Sequence, residues 1–333
     1  MENFKNKQTS KLFMTLPDYI CTPDGMAIGP QGDLVLSCPN FADDRLPGCI
    51  VKIDRQRNIK KWFDVPVPED IGIARTMGIA FDENGTLYAV DNPGWLGRPE
   101  LEERGRILSI CADENGITGF AEVAVGMEHP NGIRIRGEYM YVTQSLMSKV
   151  KREDGKVVSA VYRFHLSDRG IKVNNTLDDP NILTVFITNN ENCQYGADGI
   201  EFDSKGNLYV GNFGDGAVHK ITFDETENVK SNEVWAKDAK QLKSTDGIVR
   251  DEQDNLYVAD FSANAVAKIT PDGNVTRIAQ SADSNGLNGE LDQPGEPIVW
   301  DGKLIVSCFD LVTDDDKVNT AHEMPATLAY LEM

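Results

Sequence analysis

The sequence lacks a long hydrophobic segment, and it also lacks a helical pattern. Its 333 residues contain no run of about 18 apolar residues, so no segment is predicted to span a membrane. No stretch of useful length repeats its apolar residues with the 3.6-residue period of a helix. The first twenty residues show no apolar core followed by a small-residue cleavage site, which predicts a cytoplasmic protein.

Basic residues are scarce as well. The chain has 33 Lys and Arg against 53 Asp and Glu, for a formal net charge of −20. Such a chain repels nucleic-acid phosphates and anionic membrane surfaces, so neither is an expected partner. The six cysteines form no C-x-x-C pair, and none has a histidine at zinc-ligand spacing, which disfavours a disulfide framework and a zinc site. The absence of a G-x-S-x-G motif disfavours Ser-His-Asp hydrolysis.

What the sequence does contain is a repeat. The phrase TDGIVRDEQDNLYVAD (245–260) returns as ADGIEFDSKGNLYVGN (197–212) and as TMGIAFDENGTLYAVDN (76–92). Each copy reads as a short apolar strand, a tight turn and a second strand, and two further strands follow it. Self-similarity at a regular spacing is typical of repeat architectures.

The spacing of the repeat predicts an all-β, six-bladed β-propeller formed by a single domain over residues 1–333. The units start at Asp24, Met77, Asn131, Asp198, Asp246 and Glu296. Intervals of roughly 50–65 residues suit a four-stranded blade with its loops. The sixth unit lacks a fourth strand after 327–331, whereas 11–16 forms a spare strand before the first unit. We therefore expect this N-terminal strand to complete the last blade and close the circle.

The six starting residues are expected to form a ring at one mouth of the central channel, because the first strand of a propeller blade is the innermost. Four of these residues are acids and one is an amide. Converging carboxylates repel one another unless a cation lies among them or some are protonated. Ligands that are all oxygen suit a hard divalent ion, namely calcium, magnesium or manganese. Zinc is less favoured because no histidine or cysteine starts a blade.

The D-G-I, N-G-I and N-L-Y-V-A-D phrases, in register over essentially the whole chain, resemble those of the SMP-30/gluconolactonase/LRE family of six-bladed propellers. Members of that family hold one catalytic divalent cation through a Glu in blade one and Asn, Asn and Asp in blades three, four and five. They hydrolyse lactones or, in some branches, organophosphates. The resemblance implies one cation, calcium or manganese with magnesium as an alternative, on Asp24, Asn131, Asp198 and Asp246. Asp24 and Asp198 depart from the family's Glu and Asn.

The ring and the resemblance together predict a metal-dependent hydrolase that opens a small cyclic substrate by attack of water on a polarised carbonyl. Asp246 is the expected base or nucleophile. Glu296 is expected to act as a further ligand or as a general acid. His129, where many lactonases carry an arginine, is expected to lie at the site. The substrate is a lactone or a related cyclic carbonyl such as a cyclic β-diketone, and the residues do not distinguish C–O from C–C cleavage.

Residues at the ends of the second strands and in the long insertion 91–104 are expected to shape the substrate pocket. They are Asn92, Trp95, Arg98, Gln144, Asn212 and Asp260. The alternative function is a non-catalytic NHL-like binding propeller whose acids hold a structural calcium ion. The sequence does not indicate an oligomeric state.

Overall fold

The structure is a β-propeller, in which six antiparallel sheets stand around a common axis. The computed structural model describes residues 7–193, 195–313 and 317–333. Within these ranges the only helical segments are two single 3-10 turns, Pro99–Leu101 and Phe261–Ala263. No helix in the described part of the chain is long and apolar enough to cross a membrane.

Blades one to three follow one another along the chain, and each runs from the innermost strand outward. Blade one contains β2 (Met26–Ile28), β3 (Leu34–Cys38), β4 (Cys49–Ile53) and β5 (Ile59–Asp64). Blade two contains β6 (Thr76–Phe81), β7 (Leu87–Asp91), β8 (Gly105–Asp113) and β9 (Gly116–Met127). Blade three contains β10 (Pro130–Arg136), β11 (Tyr139–Gln144), β12 (Val157–His165) and β14 (Ile182–Thr188). The short β13 (Ile171–Lys172) pairs in parallel with the outer edge of β9.

Blades four to six repeat the arrangement. Blade four contains β15 (Ala197–Phe202), β16 (Leu208–Asn212), β17 (Ala217–Phe223) and β18 (Val229–Lys237). Blade five contains β19 (Ile248–Arg250), β20 (Leu256–Asp260), β21 (Ala265–Ile269) and β22 (Val275–Gln280). Blade six contains β23 (Pro294–Trp300), β24 (Lys303–Cys308), β25 (Thr327–Glu332) and, as its outermost strand, β1 (Lys11–Thr15).

The N-terminal strand closes the circle, as the sequence predicts. β1 pairs antiparallel with β25, so blade six combines both ends of the chain. Phe13 on β1 packs edge-on against Trp300 and Tyr330 of the same blade, with ring centroids 6.2 and 6.4 Å away. Arg57, in the outer turn of blade one, donates a hydrogen bond of 3.1 Å to the Phe13 carbonyl. β1 therefore completes blade six and also touches blade one.

The hydrophobic core lies between the blades. Six apolar clusters fill the six seams between neighbouring sheets, and each sheet therefore packs on both faces. This explains why the second strands read as continuous apolar runs: every residue of β3, β7, β16 and β20 is buried. Outer strands such as β18 are largely exposed and polar. Burial of these runs packs the six sheets against one another around the axis. Because all sheets have the same strand order, the starts of all inner strands lie at one mouth of the channel.

Candidate functional site

Five of the six predicted ring residues, the four candidate ligands and Met77, meet at one end of the channel. Asn131 and Asp198 are the second residues of β10 and β15, and Asp24 and Asp246 lie two residues before β2 and β19. Asp24 and Asp246 are nevertheless hydrogen-bonded to the second strand of their blade. The Asp24 amide donates to the Ser37 carbonyl, and the Asp246 amide donates to the Ala259 carbonyl. All four side chains line one cavity of about 390 Å³.

A glycine follows the ring residue in five blades because the inner strands approach each other closely there. A Cβ on Gly132 would lie 2.7 Å from the Asp198 carbonyl oxygen, and a Cβ on Gly78 would lie 2.6 Å from the Asn131 carbonyl oxygen. Gly25 and Gly199 make the same approach to the following blade. None of these glycines has a positive φ. The Asp-Gly phrase therefore serves the packing of the ring rather than a tight turn.

Glu296 does not belong to the ring, so this part of the sequence prediction was wrong. The Glu296 amide donates to Ser307 Oγ (2.9 Å) as the Gly132 amide donates to Thr143 Oγ1 (2.8 Å). Glu296 thus takes the place of the ring glycine, and Gly295 takes the ring position beside Asp24. The Glu296 carboxylate binds Arg134 Nη2 at 2.8 Å and does not line the cavity. A general-acid role would need contact with a substrate, and this placement offers none.

Replacing Glu296 with glutamine is expected to lower stability while leaving most of the turnover and the metal content intact. Arg134 keeps its ion pair with Glu201 (3.2 Å), and glutamine still offers an oxygen acceptor, so the expected loss is about 1–3 kcal/mol. Thermal melting together with kcat of the folded variant checks this, and Glu201→Gln is the matched control. A large loss of kcat at unchanged melting temperature would return Glu296 to the catalytic site.

The three ring carboxylates are buried or partly buried, and no described residue gives them a partner of opposite charge. Asp24 and Asp198 are each 6% exposed, and Asp246 is partly buried. Among the described residues no Lys, Arg or His forms an ion pair with any of them. Burial and the neighbouring charge of Glu296 raise the pKa of Asp24 to about 8. Burial, the other ring acids and the nearby charge of Glu296 raise the pKa of Asp198 and of Asp246 well above the usual range.

These donors fit a hard divalent cation in kind, since they are carboxylate and amide oxygens. The ring is wide, since the oxygens of its three carboxylates do not all lie within 4.8 Å of one another. Asp24 and Asp198 come from blades one and four, on opposite sides of the channel. A wide ring with the short side chain of Asp24 in blade one suits calcium better than magnesium. Calcium accepts flexible geometry, whereas magnesium demands a tight octahedron.

Above the ring, aromatic side chains form an arc along the cavity wall. Trp95, from the insertion in blade two, packs on Phe309 with ring centroids 5.3 Å apart. Phe309 contacts Phe261, and Phe261 contacts Phe213, both at 5.8 Å. All four rings line the cavity. The arc gives a planar, apolar ring of a ligand a surface to stack on.

His129 completes the wall on the side of blade three. It is 6% exposed, lines the cavity and stacks on Tyr195 with ring centroids 5.0 Å apart. Burial lowers the pKa of His129 to about 4, so the imidazole is neutral near pH 7. A neutral imidazole can donate one hydrogen bond and accept another.

Of the six predicted pocket residues, only Trp95 lines the cavity. Asp260 instead accepts hydrogen bonds from the Lys243 and Ser244 amides (2.8 and 2.9 Å) and pairs with Arg277 (2.9 Å). Gln144 accepts from the Glu128 amide, and Asn212 accepts from the Thr188 hydroxyl. These side chains at the ends of the second strands tie their own blade to the loops beside it.

The remaining two predicted pocket residues also lie outside the cavity lining. Arg98 pairs with Asp44 at 2.6 Å, toward the protein surface. Asn92 is fully buried, and its side-chain amide has no hydrogen-bond partner among the described residues. The prediction for these five positions was therefore wrong, because the ends of the second strands face into the blades rather than into the channel, and Arg98 turns to Asp44.

Several cavity residues were not predicted, although three of them carry a sequence signal. Phe213, Phe261 and Phe309 each follow directly after a second strand, in blades four, five and six, and they are equally spaced along the chain. A phenylalanine at one repeat position in consecutive blades predicts an aromatic wall. Other lining residues come from irregular loops that carry no repeat signal: Asn192, Cys193, Tyr195, Thr313 and Lys317.

Comparisons with solved structures agree on the architecture. A luciferin-regenerating enzyme superposes with a TM-score of 0.62 at 13% identity, covering 97% of this chain and 94% of that one. Regucalcin, a calcium-binding protein from Agrobacterium tumefaciens, gives 0.60 at 13%, covering 97% and 93%. A gluconolactonase from Xanthomonas campestris gives 0.58 at 13%, covering 98% and 95%. No protein-family model and no curated protein matches the sequence. At such identities the likeness shows the fold, a six-bladed β-propeller over nearly the whole chain.

Proposed function

We propose that this protein is a divalent-metal-dependent hydrolase that opens a small cyclic carbonyl compound, and that it belongs with the gluconolactonase-like propellers. One observation carries the proposal: three buried or partly buried carboxylates, without a cationic partner among the described residues, converge with Asn131 at the floor of an aromatic cavity. Buried charges of one sign require a compensating ion or protons. The similarity to a gluconolactonase and to a calcium-binding protein supports the same function by analogy of fold.

Asp24, Asn131, Asp198 and Asp246 are the residues that would hold the ion. A divalent ion in such a ring supplies Lewis acidity toward a carbonyl oxygen and lowers the pKa of water. Asp246 is the least buried of the three carboxylates, so it is placed best to take the proton from an attacking water. His129 is placed to orient the water or the leaving group through its neutral imidazole.

The cavity wall favours an apolar ring over a polyhydroxylated sugar lactone. Trp95, Phe213, Phe261 and Phe309 make the lining more apolar than polar and offer stacking surface, although the loop residues of the lining also carry hydrogen-bonding groups. We therefore favour an aryl or alkyl lactone, with a cyclic β-diketone as the second candidate. Both present a carbonyl to the ring of acids and an apolar body to the arc.

Removal of the metal is expected to reduce turnover at least about 100-fold, because several kcal/mol of transition-state stabilisation are lost and each 1.4 kcal/mol is a factor of ten. The protein is purified without added ions, analysed for metals and treated with chelator. Hydrolysis of dihydrocoumarin, gluconolactone and cyclohexane-1,3-dione is then followed, with calcium, manganese or magnesium added back. We expect dihydrocoumarin or the dione to exceed gluconolactone, and calcium to restore activity best.

The melting temperature, recorded in parallel, separates loss of the ion from loss of the fold. Asp33→Asn, which removes a negative charge outside the cavity lining, serves as the matched control and is expected to keep full activity. Equal turnover by metal-free and metal-loaded protein would contradict metal dependence. A bound ion with no turnover of any of the three compounds would support the binding-propeller alternative.

A further inference from the structure

A second group of acids lies in blade six, away from the ring. Asp292 lies two residues before β23, Asp310 two residues after β24, and Glu323 in the segment that leads into β25. One carboxylate oxygen of each lies within 4.8 Å of the others, and in the described part of the chain this is the only such trio of potential metal ligands. None of the three lines the central cavity.

Several oxygens at this cluster are buried without a hydrogen-bond donor. Asp292 is 2% exposed, and its Oδ1 has no partner among the described residues. The same holds for Glu323 Oε2 and for Oδ1 of Asn319, a residue that is 1% exposed. Asn319 lies at the cluster, since its Nδ2 donates to Asp310 Oδ1 at 3.3 Å. A buried oxygen that lacks a donor destabilises the fold, so three such oxygens together indicate a missing partner.

The charges at the cluster also lack compensation. His322 forms the one ion pair with the trio that the described residues show, with its Nδ1 3.3 Å from Asp310 Oδ2. Asp292 and Glu323 form no ion pair with any residue that the structure describes. Asp283 and Glu290 add further negative charge from the loop that precedes β23.

We propose that Asp292, Asp310, Asn319 and Glu323 form a second cation site, specific for a hard divalent ion such as calcium. Calcium binds oxygen at 2.3–2.6 Å, so ligands on opposite sides of one ion lie about 5 Å apart, which matches the separation within the trio. This site does not depend on the proposed catalytic function.

The ion would join two segments that border the central cavity. Asp310 follows Phe309 directly and precedes Thr313, and Asn319 follows Lys317 by two residues; Phe309, Thr313 and Lys317 line the cavity. A cation that clamps these segments would brace one side of the cavity wall. Calcium is therefore expected to stabilise the protein even where the ring is disabled.

The test counts calcium ions per chain by equilibrium dialysis and metal analysis. If the ring site is also filled, the wild-type protein binds two ions. Asp292→Asn and Glu323→Gln each bind only the ring ion. Asp246→Asn binds only the ion of the second site. Glu290→Gln, a neutral substitution in the same loop, is the matched control and keeps two. Glu323 is partly exposed, so Glu323→Gln should fold even where Asp292→Asn does not.

Thermal melting supplies an independent readout. In chelator, Asp292→Asn should melt above the wild type because one repelling carboxylate is gone, and in millimolar calcium it should melt below. If Asp292→Asn and Glu323→Gln bind as many ions as the control and show the same calcium-dependent shift, the second site is overturned. The wild type could also bind one calcium ion, with Asp292→Asn and Glu323→Gln binding none and Asp246→Asn still binding one. That result would confirm the second site and contradict the proposed ion in the ring.

Discussion

Replacing Asp246 with asparagine is expected to reduce turnover by at least about 10²–10⁴, through loss of the general base and of the ring ion, while the fold survives. Asparagine keeps the shape and one oxygen of the side chain but cannot accept the proton of an attacking water. It also removes one of three buried carboxylates that repel one another. In chelator the variant should therefore melt at or above the wild-type temperature. Activity and stability move in opposite directions, which a simple loss of structure does not produce.

Asp260→Asn is the matched control, because Asp246 and Asp260 stand at the two ends of one hairpin. Asp260 is buried, pairs with Arg277 and binds two backbone amides. Breaking that pair leaves a buried guanidinium unpaired and should lower stability by about 3–5 kcal/mol, with kcat of the folded fraction near wild type. Steady-state kinetics and melting curves of Asp246→Asn and Asp260→Asn check these two predictions. An active Asp246→Asn enzyme would transfer the role of base to another cavity residue, with His129 the next candidate.

The sequence predicted the fold because each blade is a local unit. The D-G-I and N-L-Y-V phrases each specify one hairpin, and their recurrence specifies the number of blades. A count of strands was enough to place β1 in blade six. The sixth unit lacked its outer strand, and one spare strand stood before the first unit. The ring acids were predicted by the same logic, because the start of every inner strand faces one mouth.

What the sequence could not predict depends on register and on side-chain direction. β23 has the same register irregularity as β6, β10 and β15, since it pairs Pro294 with Cys308 but Pro297 with Val306. In that shared register the ring position falls on Gly295, and Glu296 lies one place past it. No glycine follows Glu296 to mark the offset, because Glu296 itself stands where the other blades have glycine. The direction of the side chains at the ends of the second strands, such as Gln144, is set by loops that differ between blades. The loops that carry Tyr195 and Lys317 have no repeat at all.

Deleting residues 1–16 is expected to destabilise the whole propeller and promote aggregation. The deletion removes β1 and leaves the edge of β25 without a partner, which exposes unpaired backbone groups to other chains. It also removes Phe13 (5% exposed) from the seam between blades six and one. Loss of Phe13 alone, in Phe13→Ala, should lower stability by about 3–5 kcal/mol, a large share of the 5–15 kcal/mol typical of a folded protein.

Two comparisons show whether closure by β1 is the cause. Lys11→Ala changes an exposed side chain on the same strand, whose ion pair with Glu332 is solvent-exposed, and should leave the melting temperature unchanged. A synthetic peptide of residues 7–17, added to the truncated protein, should raise its melting temperature by pairing with β25. Because all six seams are coupled around the circle, the loss should appear in one transition that includes the distant seam of blades three and four. If the truncated protein melts at the wild-type temperature without the peptide, five complete blades and an open sixth suffice, and β1 is dispensable for closure.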